Sequence, residues 1–81
     1  MPFQKIELDR VAESVITQIE QLILRGIIRP GERLPSERDL AEKLGVSRPS
    51  LREAVSSLQE RELLTTKANS GIFVADLLGS P

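Results

Sequence analysis

Between Leu44 and Arg48 the chain has only Gly45-Val46-Ser47 in which to end one helical pattern and begin another. Glycine adopts the left-handed conformation that closes a helix with little penalty, and Val46 can then fold back onto the apolar side. Serine can accept an orphan backbone N–H at the start of the next helix. Pro49 falls in the first turn of that helix, where its missing N–H removes no intrahelical bond. It also restricts Arg48 towards extended conformations, which places the first helical residue at Pro49.

The flanking patterns are amphipathic. Upstream, Leu40, Ala41 and Leu44 form a narrow apolar stripe on a helix of roughly eight residues. Ser36 opens it, with Asp39 placed to return a bond in an imperfect capping box. Downstream, Leu51, Ala54, Val55 and Leu58 gather on one side of a helix spanning about 48–61, with Arg52, Ser56 and Pro49 opposite and Arg48 on the flank. A third helix precedes both. Val11, Ala12, Val15, Ile16, Ile19, Leu22 and Ile23 fall within an arc of about 140°, with Asp9 as N-cap and Gly26 as the left-handed exit. Arg29-Pro30-Gly31 reads as a turn, and a short extended piece covers Glu32 to Pro35. After Leu63, two β-leaning runs, LLTTK and IFVA, surround the turn-rich ANSG.

The order is therefore helix, short strand, helix, helix, strand, strand. The glycine-containing connection fits a helix-turn-helix, and the hairpin adds a wing. The expected fold is mainly α with a small β-hairpin, a winged helix-turn-helix of three helices plus wing over residues 10–76. Residues 1–9 read as an N-terminal tail.

With 81 residues, no cysteine and no histidine, the chain holds one small core and lacks disulfides, thiolate or imidazole metal ligands, and a Ser-His-Asp triad. No metal or cofactor is expected. The longest apolar run is four residues, Ile72 to Ala75, and no secretion signal is visible, so the expected location is cytoplasmic, without a membrane span. The formal charge of −1 is unevenly spread: residues 25 to 52 hold seven basic and four acidic groups, and both flanks are net acidic.

In a winged helix-turn-helix, the second helix of the pair presents residues near its N-terminus to base edges in the major groove. Arg48 and Arg52, one helical turn apart, can then reach guanine O6 and N7 or a phosphate, a negative partner that offsets their mutual repulsion. Arg38, in the first turn of the preceding helix, adds a third cation. Ser36, Ser47 and Ser50 are capping candidates with phosphate contact as an added role. The bland alternative is that paired arginines are solvated surface. Glu37 and Asp39 complement the dipole of the helix they open and need no catalytic reading. Gly26, Gly31 and Gly45 stand singly and form no phosphate-cradling loop. An enzyme is the weakest of the readings. A winged-helix protein-interaction module without DNA binding is the main competitor, favoured by the slight net acidity.

The stretch RPGERLPSERDLAEKLGVSRPSLREAVSSLQ, residues 29 to 59, closely resembles the DNA-binding domain of GntR-family bacterial transcription regulators, and SRPSLREA resembles the FadR-type branch. The resemblance covers about residues 10 to 75. It implies a dimeric repressor or activator that binds a palindromic operator in double-stranded DNA at the nucleoid. A C-terminal effector domain would sense a small metabolite, often a carboxylate. Residues 77–81 would begin the linker to that domain, which this chain does not include. The homodimer is implied for the full protein, and the fragment's own state, monomer or dimer, stays open. By position, Arg38, Arg48 and Arg52 take the family's base-reading and adjacent backbone roles, and Ser36, Ser47 and Ser50 its phosphate contacts. Three departures stand out. Glu62 replaces a customary glycine, which implies an altered or strained exit from the third helix. Pro49 removes a backbone donor used in some members. The wing tip, Ala68-Asn69-Ser70-Gly71, lacks the customary basic or histidine-containing turn, leaving Lys67 to meet a phosphate.

Overall fold

Three side-chain caps start the helices of the computed structural model, which describes residues 9–68 and 70–76. Asp9 accepts from Ala12 N at 2.6 Å to open α1, Arg10–Leu24. Ser36 accepts from Asp39 N at 3.1 Å to open α2, Glu37–Leu44. Ser47 accepts from Ser50 N at 3.3 Å to open α3, Arg48–Glu60. The third helix thus begins one residue before Pro49. With Ser47 extended as the cap, Arg48 takes the first helical position although a proline follows it.

All three helices end the same way. Just past each helix an N–H reaches back to a carbonyl five residues earlier, Ile27 to Leu22 at 2.9 Å, Val46 to Ala41 at 3.0 Å and Leu63 to Leu58 at 2.9 Å. This geometry requires a left-handed residue in between. Gly26 and Gly45 supply it in α1 and α2, with φ of 72° and 69°. In α3 the residue is Glu62, at φ 63°. The helix therefore ends as a glycine-terminated one would, with the strain that a Cβ brings to this region.

From Leu63 the chain enters an antiparallel hairpin of β1, Leu64–Lys67, and β2, Gly71–Val74. The register pairs Leu64 with Val74 and Lys67 with Gly71, so Leu64, Ile72 and Val74 are buried while Thr66 and Lys67 stand exposed. The short extended piece joins the other edge of β2: Arg33 bridges Phe73, Leu34 N donates to Ile72 O at 2.8 Å, and Val74 N donates to Glu32 O at 2.8 Å. Ser70 N donates to Lys67 O at 3.0 Å across the turn. Of the expected wing tip, Asn69 lies outside the described residues, as do the expected linker over 77–81 and all of the expected tail except Asp9.

The core lies between α1, α3 and the hairpin. Leu51, Leu58 and Val15 are its largest fully enclosed side chains, joined by Ile16, Ile19, Leu34, Ala54, Val55 and the three strand residues. One apolar position departs from the helical-wheel expectation. Val11 is 44% exposed, at the rim of a groove it shares with Leu44 and Val46.

Replacing Glu62 by glycine relieves the left-handed strain, partly offset by the greater freedom of glycine in the unfolded chain. The expected net gain is about 0.5 to 1 kcal/mol, seen as a higher urea midpoint at unchanged m-value.

Candidate nucleic-acid interface

The outer face of α3 begins at its cap. Ser47 holds the first turn through its hydroxyl, Arg48 follows as the first helical residue, and Arg52 lies one turn on. Both arginine side chains are well exposed, at 56% and 63%. Behind them, Leu51, Ala54, Val55 and Leu58 anchor the helix in the core.

The two guanidinium groups converge on Glu37, the first residue of α2. Arg48 donates from Nε and Nη2 to Glu37 Oε1 at 3.3 and 3.0 Å. Arg52 donates from Nε to Oε2 at 3.2 Å and from Nη2 to Oε1 at 3.0 Å. The consequence is a three-member charge cluster carrying one net positive charge. Hydrogen bonds from Arg52 first and from Arg48 second hold the Glu37 carboxyl below its ordinary pKa, against the opposing effect of burial. The same bond to Glu37 raises Arg52 further above its usual value.

Arg38 follows Glu37 in the first turn of α2. It is exposed and makes no ion pair among the described residues. The structure thus brings Arg48 and Arg52 together through a carboxylate, with Arg38 next to that carboxylate in sequence and outside the cluster. Glu37 was not a candidate on sequence grounds. Its partners lie 11 and 15 residues away, and the only signal for it was that two arginines at helical spacing need a negative neighbour.

The serines divide. Ser36 and Ser47 are exposed caps. Ser50 is buried, and its hydroxyl donates to Asp9 Oδ2 at 2.9 Å while receiving Ser47 Oγ at 3.1 Å. The Asp9 carboxylate thereby caps α1 with one oxygen and meets the start of α3 with the other. On the wing, Lys67 Nζ sits 4.9 Å from the centroid of the Phe73 ring, a cation–π contact that leaves the ammonium exposed. Arg33 also reaches the wing. A Cβ on Gly71, whose φ is 113°, would lie 3.2 Å from Arg33 Nε, so glycine there permits both the backbone conformation and the close approach of a cation. Among the described residues, no group of three or more acidic side chains is placed to hold a metal ion, and no helix is long and apolar enough to cross a membrane.

Three helices, a hairpin wing, a glycine turn between capped helices and an exposed arginine pair at the head of the second define a winged helix-turn-helix DNA-binding domain. The sequence profile described as bacterial regulatory proteins, gntR family, matches residues 11–74, and the chain belongs to that family. It is 46% identical over 74 residues to an uncharacterized HTH-type transcriptional regulator of Mycobacterium tuberculosis, covering 91% of this chain and 31% of that protein. It is 43% identical over 67 residues to the Glc operon transcriptional activator of Escherichia coli, covering 83% of this chain and 26% of that protein. The chain therefore spans about a third or less of the length of these relatives. Among solved structures, the AraR DNA-binding domain in complex with operator ORR3 superposes with a TM-score of 0.78 at 31% identity, covering 93% of this chain and 90% of that one. YtrA from Sulfolobus acidocaldarius, a GntR-family transcription factor, gives 0.78 at 26% identity, with 93% and 84% covered. The domain is that of a transcription regulator and not of an enzyme.

The order of the two hydrogen-bonding contributions at Glu37 is open to measurement. An NMR titration should place its carboxyl below the ordinary glutamate midpoint, and Arg52→Ala should raise it more than Arg48→Ala does. Since the folded-state pKa is depressed, the carboxylate's contribution to stability is complete above the unfolded value and is lost as pH falls through the lower, folded one.

Proposed function

We propose that this domain reads a palindromic operator as one half of a homodimer, with α3 of each copy in successive major grooves. Arg48 and Arg52 read guanine or an adjacent phosphate from the first turns of α3, and Arg38 adds a base contact from α2. Ser36, Ser47 and Lys67 meet phosphates on either side. Ser50 reaches a phosphate only by exchanging its bond to Asp9. The wing turn, Ala68 to Gly71, lies along the backbone, with Lys67 as its cation.

In the full protein, a separate effector domain would supply most of the dimer contacts and bind a small metabolite, a carboxylate in the FadR-type branch that SRPSLREA resembles. The regulator would work in the cytoplasm on nucleoid DNA. The observation that carries this reading is the arginine pair, exposed at the head of a helix whose opposite face is fully anchored. One observation favours the competing reading of a protein-interaction module: Glu37 already neutralises half of that pair. Affinity for random duplex DNA at low salt separates the two, because a domain that releases counterions binds it and an interaction module does not.

Selection from a random duplex pool should enrich one half-site. On the enriched duplex, Arg48→Ala should cost about 1 to 3 kcal/mol and relax one base position, whereas Lys67→Ala should weaken all sequences alike. Unaltered discrimination in the Arg48 variant would remove that residue from base reading.

A further inference from the structure

Read from the sequence, Glu37 does no more than complement the dipole of α2, yet both of its oxygens are taken up by cations of another helix. Exposed ion pairs contribute little to stability, so the needs of the fold do not account for this cluster. Its geometry suggests another purpose. A guanidinium carries five N–H groups in one rigid plane, divided between a side edge, Nε with Nη2, and an outer end, Nη1 with the second hydrogen of Nη2. Glu37 engages the side edge of both Arg48 and Arg52. Among the described residues the outer ends meet no acceptor, and each is a two-donor fork of the kind that meets guanine O6 and N7.

We propose that Glu37 is a specificity-determining positioning residue, holding Arg48 and Arg52 by their side edges so that their outer forks face a base pair, while cancelling one of their two charges. This rests on the DNA-binding reading above. Both effects act in the same direction. Arginines held in place lose less rotamer freedom when they meet a base whose acceptors match the fork. The smaller net charge weakens attraction to phosphates, which carry no sequence information. The carboxylate is well sited for the task, because the first turn of a helix favours a negative group.

The test uses the 81-residue chain, a duplex enriched by the wild type from a random pool, and a random duplex, each titrated over a range of salt. Glu37→Gln keeps the shape and one acceptor oxygen and removes the charge. Affinity for random duplex should rise and its logarithmic salt slope should steepen by about one. Preference for the enriched duplex should fall by about tenfold, with the thermal midpoint lowered by no more than about 4 °C, the scale of an exposed ion pair. Unchanged preference and slope overturn the proposal while leaving the DNA-binding reading intact. A lowered thermal midpoint with both duplexes weakened equally also overturns it, since Glu37 would then act through the fold. A wild-type chain that enriches no duplex sinks the DNA-binding reading itself, and the role of Glu37 with it.

Discussion

Everything in this small domain leans on the inner face of α3. Leu51, Ala54, Val55 and Leu58 are the meeting point of α1, α2 and the hairpin, and the described residues form one core cluster, with no other to hold the parts if that contact loosens. The outer face inherits its accuracy from the inner one. Arg48 and Arg52 are long side chains, but the backbone that carries them is fixed by the Ser47 cap directly before Arg48 and by buried Leu51 directly before Arg52. Removing a large buried aliphatic group would cost about 2 to 5 kcal/mol, a large share of what a domain of this size has in reserve.

Much of the fold is legible in the sequence because it is written in local chemistry. Asp9, Ser36 and Ser47 each cap the helix they precede, and Gly26 and Gly45 occupy left-handed exits. These preferences act over three or four residues and need no knowledge of the third dimension. The hairpin is similarly local, two β-leaning runs around a turn. Less was visible where distant elements meet. The helical wheel gives the direction of Val11 but not how closely Leu44 and Val46 pack across the groove from it. The extended piece was expected, but its pairing with β2 and the approach of Arg33 to Gly71 depend on where the chain returns.

The candidate interface divides in the same way. The arginine pair follows from helical spacing, and its positive setting from the uneven spread of charge along the chain. Glu37 could not be placed, since its role arises only when the turn at Gly45 brings the start of α2 beside the start of α3. Two neighbouring arginines require a negative partner, and on sequence alone that part falls to a nucleic acid. The fold supplies one of its own, which makes the free surface far less cationic than its arginine content implies. If it meets DNA as proposed, such a surface would discriminate by geometry more than by attraction.

The double use of Asp9 has a consequence for how motion would travel. One oxygen fastens the leading turn of α1, and the other grips Ser50 across 41 positions of chain. Two helix beginnings are thereby pinned to a single rivet. A tilt of α1 would drag the head of α3 with it, so a tug at the front of the first helix is felt where the arginines are mounted.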